Sequence, residues 1–223
     1  MKRGWQLAVL ALLASIGSAS ATSSQTDAFI EGELSRSAAP GLAYAQVENG
    51  EITAEGFGER IQGIAESVTS NTAFPIGSVT KSFTALAIMQ LVEAEKLTLE
   101  DRVSQHLSGF SDSSARGVTV RQLLNHTSGY STVQGNSRMG DAEASQLGLG
   151  KYAEQLGQVG PVNAPGVVWE YSNANYQILG AVIEQASGQR YADYIDRRIF
   201  KPIGMRNSSV LIESYPADMV TGH

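Results

Sequence analysis

The chain has 223 residues, 42% of them hydrophobic and 17% charged. That is ordinary globular composition with enough chain to bury a core, as one domain or two small ones. The formal charge of -6 leaves no electrostatic footprint for nucleic acid. With no cysteine in the sequence, disulfides, thiolate catalysis and Cys-ligated metals are excluded.

Residues 1–21 read as an export signal. Lys2 and Arg3 form a positive n-region, residues 7–14 an apolar core, and Ala19-Ser20-Ala21 a small-residue cleavage site. The apolar run is far short of the ~20 residues that a spanning helix needs. Cleavage near Ala21 is therefore expected to deliver residues 22–223 to a bacterial periplasm or the exterior. No other segment has the pattern of a membrane span.

In chain order, residues 27–37 carry Phe29, Ile30 and Leu34 at helical spacing, and Pro40-Gly41 ends that helix. Residues 42–47 and 52–57 read as strands joined through Asn49-Gly50, a favoured two-residue hairpin turn. Residues 60–73 read as a polar loop. The strongest apolar helix runs over residues 83–92, with Ser78 and Thr80 where caps belong. Thr119 is placed to cap a short helix ending at Leu124, before Asn125-His126-Thr127-Ser128-Gly129. Residues 130–165 give little signal beyond a short helix near residues 151–156. Residues 175–186 form a helix with Ile178, Leu179, Val182 and Ile183 inward and Gly188 as its C-cap. A last helix is predicted over residues 191–200, stopped by Pro202 and Gly204. One hairpin followed mostly by helices gives an α+β class, although two strands alone cannot cover a core of this size.

The chemistry begins at Ser78-Val79-Thr80-Lys81. A Ser at the first turn of a helix has its Oγ near free backbone N–H groups and the positive end of the helix dipole, which favour a developing oxyanion. A Lys three positions on lies over the same face, within reach of that Oγ. Gly77 is expected to let other backbone come close. The alternative is a capping Ser beside a solvated Lys. Tyr171-Ser172-Asn173 stands just before the 175–186 helix. A Tyr hydroxyl can relay protons, and an Asn can fix a Lys and a substrate amide together. Alone, that pair reads as a core Tyr and a capping Asn. Gly-x-Ser-x-Gly and His-Glu-x-x-His are absent, which argues against an α/β-hydrolase elbow and a zincin. His126 raises the thought of a Ser–His dyad, but a lone loop His is more often structural.

The segment from Phe74 to Phe83 resembles the nucleophile motif of the serine β-lactamase/penicillin-binding-protein family. Residues 91–101, 120–129, 171–176 and 199–205 resemble further blocks of that family in the same order, the Tyr171-Ser172-Asn173 block in the form of class C β-lactamases and their esterase and D-Ala-D-Ala peptidase relatives. The resemblance implies a β-lactamase/transpeptidase-like fold, an antiparallel sheet with a helical subdomain. It makes Ser78 the acylated nucleophile, Lys81 its activating partner, Tyr171 a general base and acid, and Asn173 a group holding Lys81 and the substrate, with the Ser78 N–H as half of an oxyanion hole. Whether Lys81 or Tyr171 takes the Ser proton is left open. The substrate would be a β-lactam, a D-amino-acid peptide or a simple ester, with no metal or organic cofactor implied. The family's third motif, Lys-Thr-Gly or His-x-Gly, does not occur here. The expectation is thus an incomplete domain over residues 22–223, holding the sheet's N-terminal hairpin and lacking its C-terminal strands. The rival expectation is a non-catalytic ligand-binding or regulatory module, or an inactive fragment, of the same fold.

Overall fold

A computed structural model describes residues 25–111, 114–136, 148–210 and Val220. The export signal expected over residues 1–21 lies outside the described residues. The chain divides into two compact units, one made of Met1–Pro75 with Tyr215–His223, the other of Ile76–Ser214. Among the described residues no helix is long and apolar enough to cross a membrane.

In the first unit, helix α1 (residues 25–36) precedes strands β1 (Gly41–Glu48), β2 (Glu51–Ile61) and β3 (Ile64–Ser67). The expected inward face of α1 is narrower than its spacing suggests. Ile30 is buried, whereas Phe29 is 65% exposed. Strands β1 and β2 pair antiparallel in register from Gly41↔Gly58 to Glu48↔Glu51. Asn49 and Gly50 turn the chain with φ of 52° and 84°, the two positive values that a type I′ hairpin requires. The polar loop expected over residues 60–73 is instead partly strand. β2 continues through Arg60 and Ile61, turns at Gln62-Gly63, and pairs antiparallel with β3 in the order β1-β2-β3. Short polar strands are missed when alternation is the signal, because β3 is exposed along its whole length. Arg60 pairs with Glu66 across this ladder.

The second unit is helical and holds most of the buried apolar residues. Its centre is α6 (Asn173–Ser187), in which Ala174, Ile178, Leu179, Ala181, Val182 and Ile183 are all buried. A helix apolar on nearly every side must be covered all round. Packed against it are α2 (Thr80–Glu93), α3 (Val120–Leu124), α4 (Thr132–Asn136), α5 (Gly148–Val159) and α7 (Tyr191–Ile195). Thr119 caps α3 as expected, its Oγ1 accepting from Gln122 N–H while Gln122 Oε1 accepts from Thr119 N–H. Gly188 ends α6 in the left-handed region at φ 68°. The helix expected over residues 191–200 widens after Ile195 into a π turn, Asp196–Phe200, which carries Ile199 and Phe200 into the core. The Phe200 ring meets Phe83 edge-on at 5.2 Å.

Gly129 is the tightest point of this unit. Its φ is 87°, and a Cβ there would stand 2.0 Å from the Asn163 carbonyl oxygen. Gly129→Ala is expected to destabilise the fold by at least ~2 kcal/mol, from strain and clash together. Gly117, with nothing among the described residues within 4 Å of its Cβ position, should tolerate alanine within about 0.5 kcal/mol. Urea denaturation of the two variants checks the contrast.

Candidate active site

Ser78 does not cap a helix. It lies in a 3-10 turn, Gly77–Val79, that leads into α2, and the N-cap positions of that turn and of α2 fall on Ile76 and Val79. The turn starts from Gly77 at φ 49°, and no atom of the described residues lies within 4 Å of a Cβ placed there. Gly77 therefore serves backbone conformation, not the close approach expected from the sequence. Freed from capping, the Ser78 Oγ is 2.8 Å from Tyr171 Oη and accepts from Lys81 Nζ at 3.1 Å.

Lys81 reaches that position because it continues the inward stripe of α2. The buried residues Thr84, Ala87, Ile88 and Leu91 follow it at spacings of three and four. Its Nζ donates to Asn173 Oδ1 at 2.8 Å and stands over the rings of Tyr171 and Tyr176, 5.0 and 5.6 Å from their centroids. Asn173 is the first residue of α6 and donates from Nδ2 to Asn136 Oδ1 at 2.7 Å. The four residues singled out in the sequence thus meet in one cluster. Ser78 is exposed and Lys81, Tyr171 and Asn173 are half-buried.

The segment carrying Tyr171 has no regular secondary structure, so its position depends on explicit bonds. The stretch from His126 to Thr132 supplies them. Glu170 N–H donates to the His126 carbonyl at 2.9 Å, and Ser172 N–H to His126 Nδ1 at 3.2 Å. Thr132 Oγ1 donates to the Tyr171 carbonyl at 2.5 Å, Thr132 N–H to Glu170 Oε1 at 2.7 Å, and Ser172 Oγ to the Ser131 carbonyl at 2.7 Å. Gly135 permits this closeness. A Cβ on it would lie 2.6 Å from Asn173 N and 2.8 Å from Ser172 Oγ. None of Thr132, Gly135 and Asn136 was singled out in the sequence, since each acts through a neighbour more than 30 residues away.

The electrostatics follow from one cation among polar, mostly neutral groups. The Lys81 ammonium and the Ser78 hydroxyl hold the Tyr171 phenol below its ordinary value against a smaller opposing effect of burial. Burial, reinforced by the neighbouring Tyr171, pushes the Tyr176 phenol up. Burial and the Lys81 charge push His126 down. A serine hydroxyl touching a phenol whose ionised form is favoured, with an ammonium beside it, can pass its proton to that phenolate as its oxygen attacks.

Residues 26–216 match the family model described as Beta-lactamase. The chain belongs to the β-lactamase family. It is 34% identical over 177 residues to penicillin-binding protein 4 of Amycolatopsis lactamdurans, covering 78% of this chain and 45% of that protein. Among solved structures it resembles the octameric penicillin-binding protein homologue from Pyrococcus abyssi, with 30% identity, a TM-score of 0.75 and coverage of 89% of this chain and 47% of that one. It also resembles a class C β-lactamase, with 26% identity, a TM-score of 0.72 and coverage of 86% and 50%. The chain spans half or less of the length of these relatives. The fold is of the β-lactamase/transpeptidase type, α+β, and the family is one of serine hydrolases.

The Tyr171 phenol gives a direct check on this geometry. Lys81→Met should raise its pKa toward the ordinary 10.0, because the first cause of its depression is removed. A 13C-tyrosine NMR titration, with Tyr171→Phe to assign the signal, measures the shift. An unmoved midpoint would show that Lys81 does not act on the phenol.

Proposed function

We propose that this chain carries the nucleophile site of an exported serine hydrolase that cleaves an ester or amide, including a β-lactam or a D-amino-acid peptide, through an acyl-enzyme on Ser78. One observation supports this above the rest. Ser78 Oγ lies within hydrogen-bonding distance of both Lys81 Nζ and Tyr171 Oη, the latter 93 positions away in sequence.

In this reading Tyr171, in the phenolate form that the Lys81 ammonium favours, accepts the Ser78 proton as Oγ bonds to the carbonyl carbon. The carbonyl electron pair moves onto oxygen, where the Ser78 N–H at the start of the helical run supplies one donor of an oxyanion hole. Collapse of the tetrahedral intermediate breaks the bond to the amine or alkoxide, which leaves with the proton held by Tyr171. Water then repeats the route in reverse and frees the acid. Asn173 fixes Lys81 throughout. The names of the relatives, a penicillin-binding protein and a class C β-lactamase, favour the amide and β-lactam side of this substrate class.

Covalent labelling with a fluorescent penicillin or a fluorophosphonate, read by intact mass and peptide mapping, tests the proposal. Ser78→Ala should abolish the adduct while leaving the fold intact, since Ser78 is exposed and, among the described residues, its Oγ bonds only within the site, to Tyr171 and Lys81. Lys81→Ala should slow acylation by orders of magnitude, and Tyr171→Phe by ~10²–10⁴. An adduct that persists in Ser78→Ala, or reversible binding with no adduct in the wild type, would overturn it.

A further inference from the structure

Among the described residues, a buried polar network lies beside the proposed Ser78–Lys81–Tyr171 chemistry without being part of it. Ser128 and Asn175 are fully buried, and both lead to the ring of His126. The polarity of this network is set by backbone at both ends. Tyr130 N–H donates to Ser128 Oγ at 3.2 Å, so the Ser128 proton is directed to Asn175 Oδ1, at 2.5 Å. That bond fixes the Asn175 amide with Nδ2 facing His126 Nδ1, at 3.0 Å. At the other end Ser172 N–H, which can only donate, also meets Nδ1. Nδ1 is therefore an acceptor for two donors, and the neutral ring carries its proton on Nε2.

The ring is also stacked. It lies 4.7 Å from the Tyr171 ring, tilted 30°, and 5.4 Å from Tyr176, with Trp169 edge-on at 6.3 Å. The residue holds a φ of 62° to do this, a left-handed conformation uncommon outside glycine. The reward is that its carbonyl takes Glu170 N–H while Nδ1 takes Ser172 N–H. His126 thus grips the chain on both sides of Tyr171 and supports its ring from beneath.

We propose that His126 is a positioning residue for Tyr171 and an acid-sensitive one, since a proton on Nδ1 would replace its two accepted hydrogen bonds by a clash of three donors and release the Tyr171 segment. This rests on the reading of Tyr171 as the proton acceptor for Ser78. The groups facing the ring from the surrounding elements are Lys81 of α2, Tyr176 and Asn175 of α6, and Trp169, Tyr171 and Ser172 of the connecting segment. Glu170, the carboxylate nearest in chain, gives Oε1 to Thr132 N–H. Lys81 and burial both oppose a positive ring. The unfolded chain binds this proton more readily than the folded one, so the stabilisation is whole above the ordinary 6.5 and is lost as pH falls through the lower folded value.

The test is made on the full chain. The 15N signals of its histidines, His106, His126 and His223, are assigned with His126→Asn, which tolerates positive φ and offers an acceptor oxygen. At pH 7.5 the His126 ring should have Nδ1 unprotonated, with a midpoint below 6.5, and the Tyr171 13C signal should move with the same midpoint. Fluorophosphonate acylation of the wild type should fall about tenfold for each pH unit beneath that midpoint, and His126→Asn should lack this limb. An Nδ1-protonated ring at pH 7.5, a Tyr171 signal indifferent to the His126 titration, or an acid limb unchanged in His126→Asn would overturn the proposal. If that variant does not fold, the wild-type tautomer and the coupled Tyr171 shift decide the question. Absence of any label on wild-type Ser78 would sink the nucleophile reading alone, and the two NMR readouts would still judge the role of His126.

Discussion

Everything at this site depends on holding one phenol oxygen 2.8 Å from one serine oxygen when neither belongs to the same element. Ser78, in the 3-10 turn that leads into α2, and Lys81, in the first turn of α2, are three positions apart, so their relation is local and inexpensive. Tyr171 has no helix or strand of its own, and an unsupported loop residue would spread over many positions at a cost in order of 1–2 kcal/mol per residue to fix. The structure meets that demand with hydrogen bonds from the 126–132 stretch to the backbone of residues 170 and 172, to the Tyr171 carbonyl and to the Glu170 carboxylate. The site is precise because its least regular part is the most heavily bonded.

The same constraint explains the small residues nearby. Backbone-to-backbone contact needs room, and Gly135 and Gly129 provide it where a Cβ would strike Asn173 N or the Asn163 carbonyl. These glycines carry no chemistry. Gly135 sets the distance at which Asn136 meets Asn173, and so the orientation of the amide that receives Lys81. Positioning passes in steps from backbone to Asn136, to Asn173, to Lys81 and to the Ser78 oxygen.

Electrostatically the cluster is a single ammonium shared among Ser78, Asn173 and two tyrosine rings. An adjacent carboxylate would have quenched that charge. With polar neutral partners the charge acts on whatever titrates nearby, lowering Tyr171 and adding to the lowering of His126 that burial causes. The two tyrosines diverge, Tyr171 down and Tyr176 up, and pairs pushed apart in this way mark where acid and base work can be divided.

The sequence by itself determined what is local. The Asn49-Gly50 turn, the Thr119 and Gly188 caps, the inward face of α6 and the Ser78–Lys81 pair were all legible, because each depends on spacings of four residues or fewer. The order of family blocks also implies that Tyr171 and Asn173 stand beside that pair. What it could not determine was non-local or lacked a pattern. The exposed strand β3 has no alternation to read, and the exposure of Phe29 depends on what lies around α1. The turning of Ser78 Oγ from a cap toward Tyr171, and the part played by His126, Thr132, Gly135 and Asn136, exist only when segments some 37 to 93 residues apart are brought together. Hydrogen-bond polarity was decided last. A lone histidine after Asn125 has no fixed tautomer in sequence, and only the convergence of Ser172 N–H and the Asn175 amide on its Nδ1 assigns one.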